Sequence, residues 1–295
     1  MSRAHELVAA FDKFIRSYRR EEMEEAITLQ EEITPLLLEV LERIAANPEE
    51  YANEDHFAEN YAVTLLAHFR EERAHLPIIR AFSIPDEQRI VIWGDMLTEN
   101  LPALLCRTSG GDYTHVLEMI RNRDAYEFLR ASAIEALKLG VACGHLSRER
   151  GLELFRELMD ERLAEPGSYF WGGLVCELLD LHATELRDDI HGLYEKGLVH
   201  EGHVSLNNVE SAFSRDFDTA MTELGDTLEW RMPEDPHGYI SWFACFREDD
   251  DGFDDFDDEP LTLHDASQLK AQKKIKDKNR NKRKMAKKSK RKNRR

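Results

Sequence analysis

Apolar residues recur at helical spacing from the N-terminus to about residue 220, and no alternating pattern long enough for a strand interrupts them. Val8, Phe11 and Ile15, for example, fall on one face of a helix. Thr34-Pro35 is typical of a helix start, because proline fits the first helical position. The pattern therefore predicts an all-α protein.

From about residue 57 the predicted helices come in pairs. The first helices span 57–70, 90–107, 126–141 and 169–182, and the second helices begin near Leu76, Asp112, Ser147 and Thr184. Apolar anchors in the second helices, at Leu76, Val116, Leu152 and Ile190, are 40, 36 and 38 residues apart. Because a helix pair cannot bury its own apolar faces, this period predicts a right-handed HEAT-like α-solenoid of stacked pairs.

Polar residues mark the breaks between these helices. Asp112, Ser147, Thr184 and Ser205 each precede a periodic run and are predicted N-caps. The segment that follows, 226–246, is less regular and rich in aromatic residues such as Trp230. We interpret it as a closing cap that docks on the last repeat, with a partner-binding patch as the alternative.

The pattern divides the chain into four segments. Residues 1–56 are N-terminal helices that cap the solenoid, 57–204 are the HEAT-like repeats, and 205–247 are a C-terminal helix with the aromatic cap. Residues 248–295 have too few apolar side chains to offset the entropy of ordering, so we expect a disordered acidic run followed by a basic tail.

Charge is distributed very unevenly between the tail and the rest of the chain. Residues 270–295 hold 16 Lys/Arg and one acid, a net charge of +15 within a chain of −18, so residues 1–269 carry −33. The acidic body is a poor ligand for nucleic acid or an anionic membrane, whereas the tail suits a polyanion. The predicted polyanion-binding residues are Lys282, Arg283, Lys284, Lys287, Lys288, Lys290, Arg291, Lys292, Arg294 and Arg295.

The identity of that polyanion is open between two main alternatives. RNA, in particular ribosomal RNA, would give salt-sensitive and sequence-independent affinity, without base stacking because the tail has no aromatic residue. The tail could instead fold back on its own acidic run at 248–259. A membrane partner is not expected, since the tail lacks an apolar anchor beside its charges.

Candidate catalytic or metal-binding residues are few. Asp95 and Glu99 are four residues apart on a predicted helix, where Asp95 is more simply an N-cap. Cys143 and His145 make half a metal site, but zinc needs about four ligands, so a turn is favoured. Cys176 is predicted to be a core thiol. Nucleotide-binding and hydrolase motifs are absent, so we expect no enzyme, cofactor or metal.

The ends and the cysteines bear on localisation. The N-terminus lacks a signal-peptide pattern, and no stretch approaches the ~18 apolar residues of a membrane span. The four cysteines are far apart and include no C-x-x-C pair. Free thiols in a reducing cytoplasm are therefore expected.

Several stretches resemble a bacterial family known only as a domain of unknown function, with HEAT-like helical repeats. They are Leu-Leu-Ala-His-Phe-Arg-Glu at 65–71, Gly-Asp-Met-Leu-Thr-Glu-Asn-Leu-Pro-Ala-Leu-Leu at 94–105, Gly-Asp at 111–112, Lys-Gly-Leu-Val at 196–199 and Ser-Trp-Phe-Ala-Cys-Phe at 241–246. The resemblance spans roughly 30–247. In addition, Tyr-Glu-Phe-Leu-Arg-Ala-Ser-Ala-Ile-Glu-Ala-Leu at 126–137 resembles the first helix of a HEAT-like repeat, which implies that Arg130 bonds an acid or carbonyl in an adjacent repeat. Some members end in a SEC-C zinc motif, but this chain has no cysteine after Cys245.

These observations favour a non-enzymatic helical-repeat adaptor. Its body would present a surface to a protein partner, and its basic tail would tether it to a polyanion such as RNA or the ribosome. One alternative is a protein-binding module whose tail is autoinhibited by the acidic run. Another is a metal-dependent enzyme that uses Asp95 and Glu99 or Cys143 and His145.

Overall fold

A computed structural model describes residues 2–53 and 56–246, and within them every regular element is helical. The all-α prediction is therefore confirmed, whereas the predictions for 248–295 lie outside the described residues. In chain order the α-helices are α1 (Arg3–Asp12), α2 (Arg20–Thr28), α3 (Gln30–Ala46), α4 (Pro48–Tyr51), α5 (Ala58–His68), α6 (His75–Phe82), α7 (Asp86–Ile92), α8 (Met96–Glu99), α9 (Leu101–Thr108), α10 (Thr114–Arg121), α11 (Glu127–Ala142), α12 (Arg148–Glu157), α13 (Tyr169–Asp180), α14 (Arg187–Glu195), α15 (Leu206–Phe213), α16 (Phe217–Arg231) and α17 (His237–Ile240). Short 3₁₀ helices cover Glu72–Ala74, Glu161–Leu163, Thr184–Leu186 and Ala244–Phe246. None of the described helices is long and apolar enough to cross a membrane.

A row of helices packed in chain order forms the centre of the molecule. Helix α3 contacts α5, α5 contacts α9, α9 contacts α11, α11 contacts α13, and α13 contacts α15. Every residue of α9, and every residue of α5 before His68, is buried, as expected of helices with neighbours on all sides. Helices α6, α10 and α12 pack beside this row, and one hydrophobic cluster runs from Ala4 to Ile240.

Two predicted helix boundaries are wrong. The predicted helix over 90–107 is divided into α7, α8 and α9, because Gly94 takes a positive φ of 47° and Pro102 cannot donate an N–H to the carbonyl four residues before it. Helix α3 begins at Gln30 rather than at Thr34, and Pro35 lies inside its N-terminal part.

The predicted N-caps divide into two groups. Ser147 and Ser205 cap α12 and α15 through their hydroxyls, and Ser205 forms a capping box with Asn208. Asp112 and Thr184 do not hold the N-cap position: Asp112 accepts a hydrogen bond from the Thr114 backbone at 2.9 Å, and Thr184 begins a 3₁₀ turn. A short turn before each helix shifts the cap by one residue or more.

Arg130 of α11 joins two neighbouring elements through their backbones. Its Nε donates to the Ile120 carbonyl at 2.8 Å, and its Nη2 donates to the Leu163 carbonyl at 2.8 Å. The guanidinium also lies 4.3 Å from the centroid of the Phe170 ring. Arg130 thus bonds carbonyls, as the resemblance of 126–137 to a HEAT-like first helix implies, and these carbonyls satisfy its buried charge.

Candidate functional site

Residues 232–246, which we name the C-terminal strap, cross back to the N-terminal half of the molecule. Arg107 of α9 is the central anchor, with a side chain only 5% exposed. Its Nε donates to the Tyr239 hydroxyl at 2.8 Å, and its Nη2 donates to the carbonyls of Met232 and Pro233 at 2.9 and 3.0 Å. The Asn100 side chain donates to the Tyr239 carbonyl at 3.3 Å. Arg107 and the α9 N-cap residue Asn100 thus hold the strap through three of its carbonyls and the Tyr239 hydroxyl.

The far end of the strap is held against α2 and the loop before it. The ring of His237 is buried between the Tyr18 hydroxyl, at its Nδ1, and the Glu24 carboxylate, 2.8 Å from its Nε2. Phe246 packs against Tyr18 and Phe57, with ring centroids 5.5 and 5.4 Å apart. The expectation that this segment docks on the last repeat is therefore wrong: it docks near the first.

Arg231, the last residue of α16, is paired with two carboxylates. Its Nε and Nη2 donate to Glu135 at 2.8 and 2.7 Å, and its Nη1 donates to the Glu99 carbonyl and carboxylate at 2.9 and 3.2 Å. Asp95 stands at the N-cap of α8, where it makes no side-chain cap, and it is exposed. Glu99 is thus occupied by an ion pair, and Asp95 and Glu99 are not brought together as a metal site.

A cluster of thiol, phenol and imidazole groups lies beside the Arg107 anchor. The sulfur of Cys106, a fully buried residue of α9, is 3.4 Å from the Tyr113 hydroxyl and 3.7 Å from Nδ1 of His145. The same Nδ1 is 3.4 Å from the Tyr113 hydroxyl. Tyr113 reaches this position because Gly140 of α11 has no side chain; a Cβ there would lie 2.2 Å from the hydroxyl oxygen.

Cys143 completes this cluster at the surface. It is the exposed C-cap residue of α11, two residues before His145, whose ring contacts Cys106. The Cys143 thiol donates to the Met232 sulfur at 3.6 Å, where the strap begins. We name Cys106, Tyr113, Cys143 and His145 the thiol cluster.

Hydrogen bonding, burial and local charge give the two thiols of the cluster different pKa values. The hydrogen bond from Cys106, with the positive charges of Arg107 and Arg70, lowers the pKa of Cys143 to about 7. The same hydrogen bond and burial raise the pKa of Cys106 far above its ordinary value. Burial and the two arginines lower the pKa of His145, so its imidazole is neutral at pH 7. The cluster therefore combines an ionisable outer thiol with a protonated inner thiol.

Sequence reasoning found half of this cluster. It singled out Cys143 and His145, but missed Cys106 and Tyr113. An available signal was spacing: Cys106 and Cys143 are 37 residues apart, close to the repeat period, which places both at the ends of stacked helices. Cys176, predicted to lie in the core, is exposed on α13. No group of three potential ligands positioned to hold a metal ion occurs in the ranges 2–53 and 56–246.

A cavity lies between α1, α3, α4 and α5. Its volume is about 310 Å³, and its walls include apolar Val8 and Val40. Its polar walls have partners: Arg43 pairs with Glu39, and Asp12 lies 3.0 Å from Nδ1 of His56. We therefore interpret the cavity as a gap in the packing of these helices rather than as a ligand site.

The ten basic residues predicted to bind a polyanion all lie outside the described residues.

Comparison with known proteins identifies the family of the body. A family model described as "Protein of unknown function (DUF1186)" matches residues 3–247. The chain is similar to uncharacterized proteins of Chlamydia trachomatis serovar D and Chlamydia muridarum, each 32% identical over 219 residues, which cover 71% of this chain and 87% or 88% of the relative. No solved structure matches.

Proposed function

This chain belongs to the DUF1186 family of proteins of unknown function, and we propose that it is a non-enzymatic helical-repeat adaptor whose basic tail tethers it to RNA. The observation that carries the proposal is the tail at 270–295, with a net charge of +15, joined to an acidic body that would itself be repelled by phosphates. Sixteen cations in 26 residues give affinity through counterion release, independent of base sequence.

The strap supports an adaptor because it holds the C-terminal end of the described body in place. Phe246, the last described residue, packs against Tyr18 and Phe57. A short tether raises the effective concentration of the body near the bound polyanion. The helical body would then meet its protein partner close to the RNA, in the cytoplasm.

The test measures RNA binding of three forms of the protein at low and high salt. The forms are the full chain, a variant in which Lys282, Arg283, Lys284, Lys287, Lys288, Lys290, Arg291, Lys292, Arg294 and Arg295 are replaced by glutamine, and a variant with residues 270–295 scrambled. We expect the full and scrambled chains to bind equally and to weaken steeply with salt, and the glutamine variant to lose binding. Equal binding by all three forms, or no binding at low salt, would refute the RNA tether.

The acidic run suggests a second function, a protein-binding module in which the tail is autoinhibited. Residues 248–259 hold nine acids directly between the strap and the basic tail. In this alternative they compete with RNA for the tail until a protein partner displaces them. Deletion of 248–259 would then raise RNA affinity at low salt, whereas an unchanged affinity would exclude autoinhibition.

The third alternative, a metal-dependent enzyme, has less support. Glu99 is held by Arg231, and Cys143 and His145 belong to a cluster with a phenol and a second thiol. Neither pair offers the ligand set that zinc needs.

A further inference from the structure

The thiol cluster has the arrangement of a two-cysteine redox site. Cys143 is exposed, while Cys106 is fully buried and its sulfur lies 3.7 Å from Nδ1 of His145, two residues after Cys143. The two cysteines lie on α9 and at the end of α11, which pack side by side. A disulfide between them needs Cα atoms about 4.4–6.8 Å apart, which neighbouring residues on two packed helices can reach.

We propose that Cys143 is a modification site that reacts with hydroperoxides, and that Cys106 then closes a reversible Cys106–Cys143 disulfide. Three features of the site favour attack by Cys143 rather than by another cysteine. It is open to solvent, it lies in the same turn as His145, which contacts Cys106, and Arg107 and Arg70 favour its thiolate. Cys176 is also exposed, but loss of hydration at its sulfur and the neighbouring Glu177 raise the pKa of its thiol to about 11.

The chemistry balances in two steps. In the first, the Cys143 thiolate attacks the terminal oxygen of the hydroperoxide; the O–O bond breaks, sulfur is oxidised to a sulfenic acid, and the departing alkoxide or hydroxide takes a proton from water. In the second, the Cys106 sulfur attacks the sulfenic sulfur, the S–S bond forms, and the hydroxyl leaves as water. A cellular dithiol returns both cysteines to thiols.

His145 is placed to assist the second step. Its Nδ1 lies 3.7 Å from the Cys106 sulfur, and the neutral imidazole can take the thiol proton as the S–S bond forms. The hydrogen bonds among Cys106, Tyr113 and His145 hold that proton path in place. Disulfide formation also removes the S–H contact from Cys143 to Met232, so oxidation changes a contact at the start of the strap.

The decisive experiment treats the full-length protein with hydrogen peroxide at pH 7 and maps its cysteines by mass spectrometry without reduction. We expect a peptide pair linked through Cys106 and Cys143, which disappears after dithiothreitol. In C106S, which lacks the inner thiol, a sulfenic-acid probe such as dimedone should label Cys143. C143S should form no link, and C176S, the matched exposed control, should behave like the wild type.

Two outcomes would overturn the proposal. One is the absence of the Cys106–Cys143 peptide pair in oxidised wild-type protein, a result that does not depend on how any variant folds. The other is dimedone labelling of Cys176 in the wild type at a rate equal to that of Cys143 in C106S. Circular dichroism before oxidation verifies that each variant retains its helices.

Discussion

Arg107 and Tyr239 are 132 residues apart in the chain, yet the guanidinium of one donates a hydrogen bond to the hydroxyl of the other at 2.8 Å. Both residues are buried, and the guanidinium also lies 5.9 Å from the centroid of the Tyr239 ring. This contact attaches the strap to α9. It also places the strap next to Cys143, so one arginine serves both the strap and the thiol cluster.

Replacing Arg107 with alanine should release the strap. The change leaves the Tyr239 hydroxyl and the carbonyls of Met232 and Pro233 without their donor, so we expect a loss of about 2–4 kcal/mol in the free energy of unfolding by urea. Hydrogen exchange at 232–246 should accelerate. Arg73→Ala is the control, since Arg73 is exposed and pairs locally with Glu71. Equal effects of the two changes would contradict the anchor role.

Tyr239→Phe isolates one bond of that anchor. The ring and its packing remain, but the Nε–H of Arg107 loses its acceptor, so we expect a loss of about 1–2 kcal/mol. Because the two residues are in contact, the double variant with Arg107→Ala should cost less than the sum of the single changes. Strict additivity in the urea experiment would mean that the hydrogen bond contributes nothing.

Stability should depend on pH through Glu59. Burial raises the pKa of this α5 carboxyl to about 8, so it is protonated in the folded protein at pH 7 and ionised in the unfolded chain. Its folded-state pKa is above the unfolded value, so its stabilisation is complete at low pH and is lost as the pH rises toward about 8. Glu59→Gln should remove this loss and stabilise the protein by on the order of 2–4 kcal/mol at pH 9.

The measurement is urea unfolding at pH 5, 7 and 9. Exposed Glu49→Gln is the matched control, and its pH dependence should equal that of the wild type. A wild-type pH dependence that survives in Glu59→Gln would show that the carboxyl is ionised in the folded state.

Gly140→Ala should destabilise the protein although alanine is the better helix former. The added Cβ would lie 2.2 Å from the Tyr113 hydroxyl and would displace that ring from Cys106, at a cost of about 1–3 kcal/mol. Gly192→Ala in α14 is the control, because nothing lies within 4 Å of its Cβ position, and it should stabilise by roughly 0.5–1 kcal/mol. Thermal unfolding of both variants should therefore shift in opposite directions; shifts of the same sign would contradict the close packing.

The fold could be predicted from the sequence as far as local pattern determines it. Helices α5, α11 and α13 follow from apolar spacing, and the backbone role of Arg130 follows from the resemblance of 126–137 to a HEAT-like first helix. The strap could not be placed, because its contacts join residues more than a hundred positions apart and leave no periodic trace. The sequence indicates Cys143 and His145 as half a metal site or a turn, whereas the position of Cys106 beside them depends on the packing of α9 against α11.

The hydrogen bonds of His237 to Tyr18 and Glu24 change how the body should respond to force and heat. In an open array of helical repeats, each repeat contacts only its neighbours. Such an array therefore extends gradually under force and unfolds from its ends. Here the strap connects the C-terminal end of the array to α2 and the loop before it, through the hydrogen bonds of His237. We therefore expect residues 2–246 to melt in one cooperative transition, and a pulling experiment to record a single rupture of the strap before the helices extend.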